Sequence, residues 1–177
     1  IKRYHKNALA NMKLARLIYP GWELRVYTDA PLPEWEKVGY RVVVVQNAYA
    51  RCGGDLTRMR LLVATDPFVD AYLLRDADSL LSYRESAAVQ EWLSSAYLYH
   101  SMHDHPSHAC CPLMAGMWGG KMPIEGLTQM IALKLKGNDQ TFLRKHVWPV
   151  IENSTLVHNA FGPGKPFPKA RVGLEFV

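Results

Sequence analysis

The sequence predicts an α/β domain in which a mostly parallel, Rossmann-like sheet carries helices on both faces. Three observations lead there. Short apolar runs of strand length alternate with segments of helical spacing, the pattern of a sheet wound through crossover helices. The runs are rich in valine and leucine, as in strands buried on both faces. One of them, Tyr72-Leu-Leu74, leads directly to two carboxylates, Asp76 and Asp78, with Ser79 behind. In open α/β sheets ligands bind beyond the carboxyl ends of strands, so this pair falls where a site is expected.

The 177 residues suit one domain, 1–177, long enough to bury a core. Lys and Arg outnumber Asp and Glu, 21 to 16, a mild basicity that suits an anionic substrate such as a nucleotide diphosphate. No basic stripe marks a nucleic-acid surface, so nucleic acid is not an expected partner. Cys52 and the adjacent Cys110 and Cys111 do not make the disulfide framework of a secreted protein. No apolar stretch reaches membrane-spanning length, and a cytoplasmic setting is the expectation. The chain enters its first helix without a preceding strand, so a first strand is expected to be missing on the N-terminal side.

Each element has its own signal. Tyr4 to Tyr19 has an apolar stripe of Leu9, Met12, Leu17 and Ile18 and is stopped by Pro20-Gly21, which predicts an amphipathic helix. Glu23 to Thr28 alternates like a strand. Pro31 and Pro33 mark a loop before a short helix around Glu34 to Lys37. Arg41 to Gln46, with four valines, predicts a buried strand. Gly53-Gly54 breaks the chain before a helix from Leu56 to Ala64, and the strand leading to the acidic pair follows. Arg84 to Ser95 has helical spacing and Ala96 to His100 is strand-like. Ile124 to Leu135 and Thr141 to Trp148 predict helices, and Thr155 to Val157 a short strand ending on His158.

Several groups of residues carry chemistry. Asp76 and Asp78 repel each other unless a cation lies beside them, and hard oxygen donors suit Mg2+ or Mn2+. The bland alternative is a solvated loop after a strand. His158 is a candidate third ligand, or else a hydrogen-bonded loop histidine. It enters a Gly/Pro-rich stretch in which Lys165 can neutralise phosphates. Gly116-Met-Trp-Gly119-Gly120 leaves backbone open on both sides of Trp118, either for a flat sugar ring or as a tight turn between strands. Asn138-Asp139-Gln140 opens a helix, so Asp139 is a cap or a carboxylate facing the site. Arg58 and Arg60 precede the acidic strand as candidate phosphate ligands or as solvated residues. His100, His103, His105 and His108 with Cys110 and Cys111 include zinc-type ligands, but the spacings match no recurrent zinc module. A polar loop shaping a substrate pocket is the preferred reading.

Taken in order, Asp76-Ala77-Asp78, Gly116-Met-Trp-Gly119, Asp139 and His158 resemble the motifs of nucleotide-sugar glycosyltransferases of the GT-A fold. Arg75-Asp-Ala-Asp-Ser79 with Arg84-Glu85, Glu91-Trp92, Asp104-His-Pro106 and Asp139-Gln140 is similar to a family of bacterial and large-virus glycosyltransferases, a chlorella-virus domain among them. That similarity runs from Tyr4 to Glu175-Phe-Val177. His158 through Lys165-Pro166 also resembles the ending of the glycogenin-like family, with a spacing one residue longer.

The resemblance implies a GT-A fold and transfer of a sugar from a nucleotide-diphosphate sugar, such as a UDP-sugar, to a glycan or other hydroxyl acceptor. It implies Mn2+ or Mg2+ on Asp76, Asp78 and His158. Arg58, Arg75, Ala77, Gly116 and Lys165 are then expected around the nucleotide diphosphate. Asp139 is expected near the reacting carbon or acceptor hydroxyl, with Asp104 the second choice of base. Inverting and retaining outcomes both stay open. Part of the base pocket is expected from the strand before the first helix. Two rivals are a sugar- or nucleotide-binding module without turnover and a phosphatase of the haloacid-dehalogenase type. The second is disfavoured because its acidic motif usually opens the domain and is completed by a later acidic pair, which this chain lacks.

Overall fold

The computed structural model describes residues 2–135 and 137–172. Glu175-Phe-Val177, the end of the stretch that carries the resemblance, lies outside them. The chain opens with helix α1 (Lys2–Ile18), then strand β1 (Arg25–Thr28), helix α2 (Pro33–Lys37), strand β2 (Arg41–Val44) and the short helix α3 (Ala48–Arg51). A 3-10 helix, Leu56–Thr65, leads to β3 (Tyr72–Arg75), α4 (Tyr83–Leu93) and β4 (Tyr99–His103). After a 3-10 turn, Pro106–Cys110, come β5 (Met117–Gly120), α5 (Leu127–Ala132) and α6 (Asp139–Phe142). A π-helical turn, Leu143–Val147, joins α6 to α7 (Trp148–Ile151), and β6 (Thr155–Asn159) follows a last 3-10 turn, Glu152–Ser154.

The strands form two sheets. β1 and β2 pair in parallel, and the other four lie in the order β3-β5-β4-β6. β4 runs parallel to β6, whereas β5 is antiparallel to both β3 and β4. The larger sheet is therefore mixed: β3, β4 and β6 share a direction and β5 opposes them. Its faces are covered on both sides, as the alternation of side chains shows. Tyr72, Leu74 and Trp118 join a core with α5, α6 and α7 residues such as Ile131, Phe142 and Ile151. Their neighbours Leu73 and Met117, with Met102, join a second core with Ile18 and Tyr19 at the end of α1 and Ala88, Val89 and Trp92 of α4.

Local chemistry explains most boundaries. Ser82 caps α4, its hydroxyl accepting from the Glu85 backbone N–H at 3.2 Å. Asp55 caps the 3-10 helix through the Thr57 N–H at 3.0 Å. Several expectations change, first among them the mostly parallel sheet, which is two sheets of which the larger is mixed. The predicted strand Ala96 to His100 starts three residues later, at Tyr99, and extends to His103. The predicted Thr141 to Trp148 helix is part of a longer composite run from Asp139 to Ile151. Most consequentially, Met117–Gly120 is no loop but an inner strand, β5, with Gly116 in the turn just ahead of it. Glycine is required there by close approach. A Cβ on Gly119 would lie 2.3 Å from the Tyr72 carbonyl oxygen, and one on Gly120 would lie 2.4 Å from the Tyr72 hydroxyl.

Candidate active site

Because β3, β4 and β6 run the same way, their carboxyl ends and the start of β5 share one end of the sheet. Asp76 leaves β3 there, beside Gly116, which precedes β5 in the register Arg75↔Met117. A Cβ on Gly116 would come within 2.4 Å of the Asp76 carboxylate, so this glycine makes room for the acid. Arg75 Nη1 donates to the Gly116 carbonyl at 2.8 Å, and its Nη2 is paired with Glu85 at 2.9 Å. Glu85 is buried, which raises its carboxyl pKa; Arg75 and the Tyr19 hydroxyl, which donates to it at 3.0 Å, act the other way. Arg75 therefore braces β3, β5 and α4.

Arg60 organises the site. Its Nη1 donates to Asp76 Oδ1 at 2.5 Å and its Nη2 to Asp139 Oδ2 at 3.0 Å. One guanidinium thus holds two carboxylates from distant parts of the chain in one place. Asp139 reaches it from the first turn of α6, where Asn138 is the cap that accepts the Thr141 N–H at 3.0 Å. Gln140 docks the same turn on the loop before β5, accepting the Ala115 N–H at 3.0 Å and donating to the Leu113 carbonyl. The cap function expected of Asn138 or Asp139 thus belongs to Asn138, leaving Asp139 to Arg60. A cavity of about 510 Å³ opens at this end of the sheet, lined by Arg25, Tyr27, Trp35, Arg60, Arg75 and the stretch Asp76 to Asp78.

The structure gathers Arg75, Asp76, Ala77, Asp78, Gly116 and Asp139 around this end of the sheet. It separates the others. Arg58, expected at the phosphates, is 0 % exposed. It donates to the carbonyls of Leu133 and Leu135, pairs with Asp55 and lies over the Phe142 ring. It ties the 3-10 helix to the α5–α6 connection, and Arg60, two residues on, is the arginine that reaches the carboxylates. The two share one sequence signal, and only packing tells them apart.

The structure also sets His158 apart from Asp76 and Asp78. Three strand spacings, about 14 Å, separate β6 from β3. The His158 ring is 0 % exposed, with Nδ1 at 2.8 Å from His100 Nε2 and Nε2 at 3.3 Å from Glu91 Oε2. Among the described residues no three His, Cys, Asp or Glu side chains gather as a metal group. Lys165 lies beyond β6 again, bridged to His158 and paired with Glu91. Asp104 follows β4 but is buried, clasped by Arg84 at 2.9 and 3.1 Å and by Arg171 at 2.7 Å. Both its carboxylate oxygens are thus engaged by arginine. Trp118 is 0 % exposed and presents no face to a sugar. His103, within the histidine-rich segment, bonds Ser101 and the carbonyls of His108 and Pro112.

The buried His100–His158 pair makes a stability prediction. Burial lowers the His100 pKa to about 3, helped by the neighbouring His158 ring, and burial lowers that of His158 to about 4. Below pH 6.5 the unfolded chain takes up protons that the folded chain refuses, so stability falls on acidification from pH 7 to 4. The loss is on the order of several kcal/mol for the pair, less whatever their coupling removes. Thermal melts across that range should show it, and a His100→Gln/His158→Gln protein should show a shallower dependence. A flat profile in the parent protein contradicts this account.

Compared with models of protein families, with curated proteins and with solved structures, the chain matches none.

Proposed function

We propose that the chain is a GT-A-type glycosyltransferase domain that moves a sugar, of the hexosyl class, from a nucleotide-diphosphate sugar to a glycan or other hydroxyl acceptor. The observation that carries this reading is Arg60 joining Asp76 and Asp139 beside Gly116, at a 510 Å³ cavity beyond the carboxyl end of β3. The cavity walls suit a nucleoside diphosphate: Tyr27 and Trp35 offer flat surfaces, and Arg25, Arg60 and Arg75, each also paired with a carboxylate, put guanidinium groups in the wall.

The donor set also suits a divalent cation. Asp76 and Asp78 line the same cavity, and the Asp76 side chain is 47 % exposed. Two carboxylates with phosphate oxygens and water make an ordinary Mg2+ or Mn2+ shell, with Asp76 shared with Arg60. When bound, the ion supplies positive charge that stabilises the departing nucleotide diphosphate. The chain's own residues do the rest. Arg60 sets the separation of the two acids and adds charge beside the leaving group. Asp139, held by Arg60, is the carboxylate we assign to orient the sugar or accept a proton from the acceptor hydroxyl. Asp104, closed by two arginines, drops out as base.

The test is a screen of nucleotide sugars with Mn2+, reading released nucleotide diphosphate. Release from at least one donor, stopped by EDTA, is the expected result. Binding without release from any donor, with acceptors supplied, supports the turnover-free binding module instead.

A further inference from the structure

We propose that Arg60 is an exchangeable counter-ion. It holds Asp76 while no divalent cation is bound, yields Asp76 to the cation, and offers the freed end of its guanidinium to the phosphates of the donor. The inference rests on the ion site of the proposed function and describes how that site is kept and filled. Arg60 Nη1 donates to Asp76 Oδ1 at 2.5 Å, and Asp76 with Asp78 is the pair assigned to the ion. One carboxylate thus has two claimants. A guanidinium on Asp76 and a divalent ion on the same carboxylate are like charges at close range, and they repel. Gly116 closes one side of the acid: a Cβ there would lie 2.4 Å from Oδ2 and 2.8 Å from Oδ1, so Asp76 has no room to turn that way and serve both. Asp76 is shared in turn, not at once.

The contacts of Arg60 are graded for such an exchange. Its Nε donates to the Thr57 carbonyl at 3.3 Å and its Nη2 to Asp139 Oδ2 at 3.0 Å, while Nη1 is the end that bonds Asp76. The Asp139 side chain is 16 % exposed and that of Asp76 47 %, so the Asp76 half of the bridge is the half that a cation from solvent reaches. Losing that half leaves two anchors on the guanidinium. Nη1 then keeps the Ala115 carbonyl, at 3.5 Å, as its partner within the chain. A guanidinium N–H released at the wall of this cavity takes phosphate oxygens as its next acceptors. Before the cation arrives, the Arg60 charge stands in for it and lets Asp76 and Asp139 sit close without repulsion. The consequence is a coupling. The cation tightens the diphosphate both by touching it and by releasing Arg60, and by linkage the diphosphate tightens the cation by the same factor.

The test is calorimetric titration with Mn2+ alone, with UDP, GDP and ADP in turn, and with each together with Mn2+, on the parent protein, Arg60→Gln and Arg25→Gln. Arg25 lines the same cavity but is paired with Asp66 at 2.8 Å, so it reports the bare effect of losing one positive charge. Arg60→Gln is expected to bind Mn2+ alone about 10-fold more tightly than the parent, and Arg25→Gln within about 2-fold of it. The factor by which Mn2+ tightens a diphosphate is expected to shrink by about 5-fold or more in Arg60→Gln. Unchanged or weaker binding of Mn2+ alone in Arg60→Gln makes Arg60 a fixed brace for Asp76 and overturns the proposal. An equal gain in Arg25→Gln overturns it too. If Arg60→Gln does not fold, Mg2+ titration of the parent decides, read by the nitrogen NMR signal of the Arg60 guanidinium. That signal should move and its N–H exchange quicken as Mg2+ is added; a signal that stays in place overturns the proposal. All of these failures leave the ion site standing. Failure of every protein to bind Mn2+, with and without a diphosphate, removes the ion site itself and this proposal with it.

Discussion

Turnover of a nucleotide-diphosphate sugar is expected to fall below detection in Asp76→Ala and Asp78→Ala proteins, and in the parent protein treated with EDTA. Both acids line the cavity beyond β3, where hard oxygen donors are needed if a divalent ion is to meet the diphosphate. The fold should survive. The Asp76 side chain is 47 % exposed and its pairing with Arg60 is worth about 0–1 kcal/mol at such a position. Melting temperature and turnover therefore separate cleanly: near-parental melting with lost turnover supports the ion site. Full activity in EDTA, or mutants that lose activity only in step with their melting temperature, removes it.

Asp139→Asn is expected to lower turnover by about 10²-fold or more, the usual scale for loss of a general base, while nucleotide diphosphate affinity changes little. The substitution keeps the side-chain shape and leaves the cap untouched, because Asn138 caps α6. What it removes is the charge opposite Arg60. The experiment also distinguishes chemistry from positioning. If Asp139 only steers Arg60, donor affinity should fall along with the rate, because the same guanidinium holds Asp76. A silent Asp139→Asn removes the base from this position, and the buried Asp104, held by Arg84 and Arg171, does not offer a replacement.

Much of this architecture is legible in the chain. The alternation of apolar runs and helical spacings specifies an α/β protein, because short valine- and leucine-rich strands need helices over both faces to leave water. The acidic pair at the end of Tyr72-Leu-Leu74 declares itself because the strand period and the polar break are both local. The helix start at Asn138-Asp139 is local too, since a cap needs only its own next turn. No helix among the described residues is long and apolar enough to cross a membrane, as hydropathy alone predicts.

What the sequence does not contain is which distant segments meet. Arg58 and Arg60 look alike in one dimension, yet one points into the Phe142 core and the other to Asp76, because neighbouring residues on a tight helix face different surroundings. Gly116 to Gly120 reads as a loop by composition, but Tyr72 and Tyr99 on the flanking strands demand small residues opposite them, which turns glycine into a strand residue. His158 lies near the end of its strand, which runs one residue further than expected, to Asn159. Its distance from Asp76 is a matter of strand order, β3-β5-β4-β6, and local spacing carries no record of that order. The sequence by itself determined most of the elements and the acid pair. Only the tertiary structure decided that Arg60 joins Asp76 to Asp139, because contacts between residues tens of positions apart are set by how whole elements bury their apolar faces.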